Sequence, residues 1–124
     1  MKSFLCLATI LLALDVRAES TIQPKPGDIA TASKQFVELL AKEDYVGAVA
    51  RFDATMKRVM PENKLRETWQ TLQKQAGRFQ NQLGTRQTKI AGYDVAFVTC
   101  QFERAPLDVK VVFDSKRLVT GLFF

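Results

Sequence analysis

The spacing of apolar residues changes at Gly77, and this change constrains the fold more than any other feature of the chain. Before Gly77, apolar residues recur every three or four positions, as they do on one side of an α-helix. After it they alternate with other residues, as they do in a β-strand. Because glycine is favoured directly after a helix, Gly77 itself predicts the end of the helical half. Helices followed by strands indicate the α+β class.

The helical half predicts three helices, each with one apolar side. Asp44 is placed to cap the second helix, and Pro61 is favoured at the start of the third. The apolar positions are Ile29, Ser33, Phe36, Val37 and Leu40 in the first helix; Tyr45, Ala48, Val49 and Phe52 in the second, with Met56 and Val59 or Met60 as an extension; and Leu65, Trp69, Leu72 and Ala76 in the third.

The strand half predicts four strands joined by three short turns. The strands cover residues 79–85, 93–103, 107–114 and 118–124, with turns at 91–92, 105–106 and 114–116. Short turns join antiparallel neighbours, so the four strands form an antiparallel meander. We therefore expect three N-terminal helices packed on one face of a curved four-stranded antiparallel sheet.

Two of the predicted strands are apolar on both faces. In the second strand, Val95 and Phe97 point away from the side shared by Ala96, Val98, Cys100 and Phe102. In the last strand, Val119 and Phe123 point away from the side shared by Leu118, Leu122 and Phe124. An antiparallel sheet with one wet face alternates apolar and polar residues, and three short helices cover only one face. The other face must therefore curl around a pocket, meet a partner or expose an apolar patch of the kind that marks binding sites.

The first 18 residues have the three parts of a secretory signal peptide. A positive start with Lys2 precedes an apolar run over residues 4–14, and the small residues Val16 and Ala18 precede a cut before Glu19. The run is too short to span a bilayer, which takes about 20 residues. We expect an exported protein, periplasmic or secreted, with no transmembrane segment after cleavage. The predicted parts are a signal peptide at 1–18, a flexible tether at 19–28 and one domain at 29–124.

The composition excludes several kinds of catalytic and metal site. The chain has no histidine, which rules out a Ser-His-Asp triad and a histidine-ligated zinc ion. Its acidic residues are scattered, and its six glycines match no phosphate-binding motif. We therefore predict no metal, no cofactor and no catalytic residue. Cys100 is the one cysteine after the predicted cut, so an intramolecular disulfide is excluded, and its apolar neighbours predict burial.

The charge balance gives little support to nucleic-acid binding. The formal charge of +5 comes from 18 basic and 13 acidic residues, and it is spread over the chain. A nucleic-acid platform places aromatic residues between basic ones in an exposed strand, and no strand has that pattern. Nucleic acid is therefore not an expected partner.

The order of these elements and several local motifs resemble a known bacterial family over residues 30–124. The motifs are Phe36-Val37-x-x-Leu40, Asp44-Tyr45-x-x-Ala48, Phe52-Asp53-x-x-Met56-Lys57, Met60-Pro61, Leu65-x-x-x-Trp69-x-x-Leu72, Gly77-x-Phe79 and Val119-x-Gly121-Leu122. They are similar to an uncharacterised exported domain of the nuclear-transport-factor-2-like (cystatin-like) fold, found alone or ahead of an α/β-hydrolase domain. The resemblance implies a cone-shaped α+β domain, often a dimer, and it assigns no catalytic residue.

Six residues are candidates for a ligand-binding pocket: Phe52, Asp53, Trp69, Tyr93, Phe97 and Phe102. Trp69 is interpreted as a core anchor, with a place at the mouth of a pocket as the alternative. Asp53 is interpreted as a helix-end residue bonded to backbone N–H groups, with a pocket carboxylate of raised pKa as the alternative. Tyr93 lies near a strand end, where the pockets of such cones open.

These features favour a non-enzymatic exported module. It would bind a small apolar ligand, a protein partner or, as a homodimer, its own copy through the curved sheet. Two alternatives stay open. One is an accessory domain that serves an α/β-hydrolase partner, as the resemblance implies. The other is a small isomerase, hydratase or cyclase, by analogy of fold alone, with Asp53 and Tyr93 as acid and base.

Overall fold

The computed structural model describes residues 28–124, in which four helices precede four strands. The predicted signal peptide, and the predicted tether up to residue 27, lie outside the described residues. The helices are α1 (Ile29–Ala41), α2 (Tyr45–Val49), α3 (Ala54–Val59) and α4 (Glu62–Ala76). The strands are β1 (Phe79–Ile90), β2 (Tyr93–Phe102), β3 (Pro106–Phe113) and β4 (Val119–Phe123). The α+β class is confirmed, and within residues 28–124 no helix has the length and apolar character needed to cross a membrane.

The prediction of three helices is wrong, because the second predicted helix is split into α2 and α3. The backbone between them bonds to the first residue of β4 instead of continuing the helix. The Val119 amide donates to the Arg51 carbonyl at 2.8 Å, and the Asp53 amide donates to the Val119 carbonyl at 2.9 Å. These two bonds flank a parallel bridge between Phe52 and Val119. A contact with a distant strand therefore overrides the local helical pattern.

Gly77 ends α4, as the sequence predicts, and its backbone has φ 89° and ψ 177°. This conformation is open to glycine and strained for other residues. The chain then turns into β1 beside the connection between β2 and β3. The Arg104 amide donates to the Ala76 carbonyl at 2.8 Å, and the Arg78 amide donates to Oε1 of Glu103 at 2.9 Å. The end of α4 and the residue before β1 are thus bonded to the connection between β2 and β3, which comes later in the chain.

The sheet is an open antiparallel meander in the order β1-β2-β3-β4, as predicted. One face of the sheet packs against the helices. In β2 this face carries the four residues predicted to share a side, and all four are buried in the core with the apolar side chains of β3: Ala96, Val98, Cys100, Phe102, Val109, Val111 and Phe113. We call the opposite face of the sheet the open face, since no helix of the described residues covers it.

The helical layer closes the core around Trp69. Its ring centroid lies 5.8 Å from that of Phe102 and 6.0 Å from those of Phe79 and Phe124. Phe36 of α1 and Phe52 form a second aromatic pair with centroids 5.8 Å apart. Aromatic pairs at these separations are favourable beyond the apolar area they bury. The interpretation of Trp69 as a core anchor agrees with this packing.

The predicted arrangement of the last strand is partly wrong, because β4 contains a bulge. Val112 pairs with Gly121 and Phe113 pairs with Val119, which leaves Thr120 as an extra residue on β4. A bulge interrupts the alternation of faces, so Val119 and Leu122 are both buried in the core. Phe123, which pairs with Lys110, lies on the open face and points away from Leu122, as predicted.

Candidate functional site

Three of the six predicted site residues lie in the hydrophobic core. Phe52 and Trp69 are 1% exposed, and Phe102 is fully buried. Trp69 and Phe102 pack against each other, Phe52 packs against Phe36, and all three present almost no surface to solvent. Ligand binding by these three residues stays a prediction, and it would require the core to open.

Asp53 is the N-terminal cap of α3, so its predicted bond to a backbone N–H group is present, but at the start of a helix and not at the end of the second helix. Its Oδ1 accepts a hydrogen bond from the Met56 amide at 2.8 Å. This bond, followed by one from the Thr120 hydroxyl, holds the pKa of the Asp53 carboxyl below its usual range. A general base of the isomerase type needs a raised pKa, so the environment of Asp53 opposes that role. Tyr93 is on the open face of β2, beside Ile90 in β1, whereas Asp53 is bonded to Val119 of β4, two strands away.

The open face carries a row of alternating positive and aromatic side chains, one from each strand. Arg86 in β1 pairs with Phe97 in β2, Phe97 pairs with Lys110 in β3, and Lys110 pairs with Phe123 in β4. We call these four residues the cation–aromatic row. Directly paired residues on neighbouring strands lie on the same face with their side chains in reach of each other. The row therefore crosses the full width of the sheet.

The members of the row contact each other as cation–π pairs. The Arg86 guanidinium carbon lies 5.1 Å from the centroid of the Phe97 ring. Lys110 Nζ lies 6.0 Å from the centroid of Phe97 and 5.1 Å from that of Phe123. Cations within about 6 Å of a ring centroid are attracted by the negative face of the ring. The two cations approach Phe97 from the strands on its two sides.

Asp108 forms an ion pair with Arg86, one of the two cations of the row. Its Oδ2 accepts a hydrogen bond from Arg86 at 3.0 Å, and its Oδ1 accepts one from the Thr99 hydroxyl at 2.6 Å. The bond from Thr99, and then the bond from Arg86, lower the pKa of the Asp108 carboxyl. The carboxylate is therefore ionised at neutral pH and neutralises Arg86. Exposed pairs of this kind contribute little to stability, but they fix the position of the guanidinium.

Around the row, the open face is a mixed apolar and charged surface. Phe123 is 55% exposed, and Tyr93 and Ile90 at the turn between β1 and β2 are 48% and 44% exposed. Val95 lies on the same face in β2 and is only 1% exposed. The expected apolar second face is present, and the two cations and Asp108 make it amphipathic.

Two grooves lie away from the open face. The larger has a volume of about 600 Å³ and runs between α4 and the ends of β3 and β4. Its lining is Glu67, Thr68, Thr71, Leu72, Gln75, Leu107 and Phe124. The smaller, of about 430 Å³, is polar and lined by Glu43, Gln70, Gln73, Lys74 and Arg78. Neither groove includes any of the six predicted site residues.

The sequence reasoning missed three of the four residues in the row. It singled out Phe97 and noted the outward side of Phe123, but it assigned no role to Arg86 or Lys110. In β3 the signal was the alternation Asp108, Lys110, Val112, which marks one face of the strand. Within residues 28–124, no three His, Cys, Asp or Glu side chains are grouped closely enough to hold a metal ion.

The fold and the site define an α+β protein with one face of its sheet covered by helices and the other carrying an amphipathic row of side chains. The chain belongs to the family described as protein of unknown function, DUF3887, whose profile matches residues 33–122. No curated protein and no solved structure matches the chain. The family match does not show that the fold is nuclear-transport-factor-2-like or that the protein associates with α/β-hydrolases, so both stay predictions.

Proposed function

We propose that this protein is a non-enzymatic binding module that docks a partner protein on the open face of its sheet. The observation that carries the proposal is the cation–aromatic row, which crosses all four strands and is not covered by any helix of residues 28–124. Aromatic and arginine side chains are enriched in protein–protein interfaces and provide much of their binding energy. The row offers both kinds of side chain on rigid strands.

A protein partner fits the open face better than a small apolar ligand does. Small ligands bind in concave apolar pockets that bury most of their surface. The two described grooves lie elsewhere, and the open face alternates charges with rings. A partner surface of similar width can meet both the rings and the charges at once.

The proposal includes export of the protein and the nature of its partner. The signal-peptide pattern of residues 1–18 supports an exported, periplasmic or secreted location. The resemblance to domains that precede α/β-hydrolases makes a hydrolase the first partner to test. The cone-shaped, nuclear-transport-factor-2-like architecture that the resemblance implies belongs to the same proposal, whereas the homodimer that it also implies is an alternative occupant of the open face. The helix-cap bond of Asp53 and the lowered pKa of its carboxyl weigh against the isomerase alternative.

Site-specific photo-cross-linking in the producing cells tests the proposal on the full chain. The cross-linking amino acid p-benzoylphenylalanine is placed at Thr88, which is exposed on the open face beside Val95. A matched chain carries it at Lys64, which is exposed on α4 in the helical layer. We expect a cross-linked product of one defined mass from position 88 and none from position 64. No product from position 88, or the same product from both positions, overturns docking on the open face.

The larger groove supports a second candidate function, which is binding of a small apolar ligand beside α4. Its volume of about 600 Å³ lies within the range of ligand sites, and Phe124 in its lining is 39% exposed. Native mass spectrometry of the exported protein tests this function. A reproducible added mass that the substitution Thr71→Trp removes supports it, because the indole would fill the groove. Protein free of added mass overturns it.

A further inference from the structure

We infer that the partner docked on the open face presents an acidic surface, with a carboxylate for Lys110 beside an apolar side chain for Phe123. This inference rests on the proposed function, and it names the chemistry of the partner. The charges of the cation–aromatic row support the inference, because one of them is paired with a carboxylate and the other is not.

Among residues 28–124, Lys110 is the cation of the open face that forms no ion pair. Arg86 is bonded to Asp108 at 3.0 Å, and Lys89 at the neighbouring turn is bonded to Asp94 at 2.9 Å. Lys110 Nζ contacts the rings of Phe97 and Phe123, and no carboxylate among residues 28–124 forms an ion pair with it. Its ammonium group therefore keeps its capacity to donate hydrogen bonds to an arriving group.

Docking of any partner over the row removes water from Lys110. A buried charge without a counter-charge is strongly unfavourable, so an apolar or a basic partner would lose binding energy at this position. A carboxylate would replace the lost water with a charge-assisted hydrogen bond, which is short and strong. The rings on both sides of Lys110 already restrict its side chain, so less conformational freedom is lost when that bond forms.

Phe123 sets the second requirement on the partner. Phe123 is 55% exposed, and one edge of its ring packs closely over Gly121, which is buried. A Cβ built at Gly121 would lie 3.2 Å from Val112 and 3.3 Å from the Phe123 ring. An apolar side chain of the partner can pack against the exposed side of this ring, next to the carboxylate that bonds Lys110.

The row is less suited to other occupants. Two copies of the open face would bring together two Arg86 and two Lys110 side chains with only two Asp108 carboxylates, which leaves two positive charges without a counter-charge. Like charges across an interface are unfavourable. Single-stranded nucleic acid stacks its bases on free ring faces, but cations from both neighbouring strands approach Phe97. A membrane surface is recognised by clusters of several cations, and the row has one that is unpaired. Charge complementarity therefore selects an acidic protein surface.

The photo-cross-link from Thr88 provides the test when it is combined with charge variants of Lys110. Lys110→Glu reverses the charge, and Lys110→Met removes it while keeping an unbranched side chain over the two rings. Lys64→Glu on α4 changes the net charge by the same amount as Lys110→Glu and serves as the matched control. Each variant chain is first checked for an unchanged thermal unfolding midpoint, and Lys110→Met keeps the test valid where Lys110→Glu unfolds.

We expect the yield of cross-linked product to fall about tenfold or more in both Lys110 variants, as for a residue at the centre of an interface, and to stay unchanged in Lys64→Glu. A product that persists at full yield in both Lys110 variants overturns the acidic partner while docking on the open face stands. Loss of the product in all three variants also overturns it, because net charge alone would then explain the effect. A product of twice the chain's mass identifies a second copy, and a nuclease-sensitive product identifies nucleic acid; either result overturns the inference. Absence of any product in the unsubstituted chain is the separate failure of the proposed function.

A titration with two peptides tests the same chemistry in solution. The probes are an alternating Glu–Leu peptide and an alternating Lys–Leu peptide of equal length, added to the exported protein labelled with ¹⁵N. We expect the Glu–Leu peptide to shift the amide resonances of Phe97, Lys110 and Phe123, and the shifts to weaken with added salt. Equal shifts from the two peptides, or shifts confined to the helical layer, overturn the inference.

Discussion

Replacement of Gly77 by alanine is expected to destabilise the protein severely. Gly77 joins the helical layer to the sheet, with φ 89° and ψ 177°. A Cβ at this position would lie 2.5 Å from Glu103 Cβ and 3.2 Å from Glu103 Cα. These atoms are part of, or attached to, the backbone next to the Arg104 amide that bonds Ala76. The clash therefore cannot be relieved by rotation of a flexible side-chain end.

The size of the effect follows from two separate costs. A residue other than glycine held in this backbone region costs about 1–3 kcal/mol. Forcing an extra carbon into a packed site costs about 1–3 kcal/mol more. Together they amount to about 2–6 kcal/mol, which is a large fraction of the 5–15 kcal/mol that holds a domain of this kind folded. Each kcal/mol lowers the unfolding midpoint of a domain of 60–100 residues by about 4–8 °C.

Urea and thermal unfolding measure this cost, with Trp69 as the reporter. Trp69 is the one tryptophan of the chain and is 1% exposed, so its fluorescence changes when the core opens. Gly84→Ala is the matched control, because a Cβ at Gly84 in β1 meets no atom within 4 Å. We expect Gly84→Ala to change the free energy of unfolding by less than about 1 kcal/mol. Values for the two variants within about 0.5 kcal/mol of each other would refute the strain and clash assigned to Gly77.

Three further predictions concern single side chains. Asp53→Ala removes the cap of α3 and is expected to cost about 1 kcal/mol at pH 7; since the folded pKa is depressed, this stabilisation is present above the ordinary value of 3.8 and is lost as pH falls through the folded pKa. Urea titrations at pH 7 and pH 3 check it, and a difference as large at pH 3 would contradict the assignment. Ala91→Asn is expected to stabilise by about 0.5–1 kcal/mol, because Ala91 and Gly92 have φ of 53° and 84° and asparagine tolerates the first angle better; a lower unfolding midpoint would contradict it. Burial raises the pKa of the Cys100 thiol to about 12, so iodoacetamide at pH 8 is expected to label this residue only after denaturation, as peptide mapping would show.

Local patterns predict much of this fold. The stripes centred on Phe36 and Trp69 predict α1 and α4, because their apolar residues all face one core. The turn at Ala91 and Gly92 and the turn after Asp114 are read from short-range turn chemistry. These features depend on residues close in sequence, and the structure agrees with each of them.

Features that depend on distant contacts could not be predicted in this way. The gap between α2 and α3 exists because Arg51 and Asp53 bond to Val119, which lies more than half of the chain away. Both sides of this gap carry helical patterns, so the sequence alone favoured one continuous helix. The bulge at Thr120 could not be predicted from the sequence either, because it depends on the register between β3 and β4.

Part of the candidate site could be predicted from the sequence. The two-residue turn at Ala91–Gly92 fixes the pairing of β1 with β2, and this pairing places Arg86 opposite Phe97. A search for cross-strand pairs would have found half of the row. The position of Lys110 needs the register of β2 with β3, and that of Phe123 needs the register of β3 with β4, which the bulge shifts.

The bonds between Val119 and the segment from Arg51 to Asp53 also have a consequence for the timing of folding. β4 follows every other described element, so a ribosome-bound chain lacks the partner of this segment until synthesis has passed Val119. Contacts that link early and late parts of a chain delay folding, since a long loop must close before they form. The helical layer is therefore completed by a strand made after it.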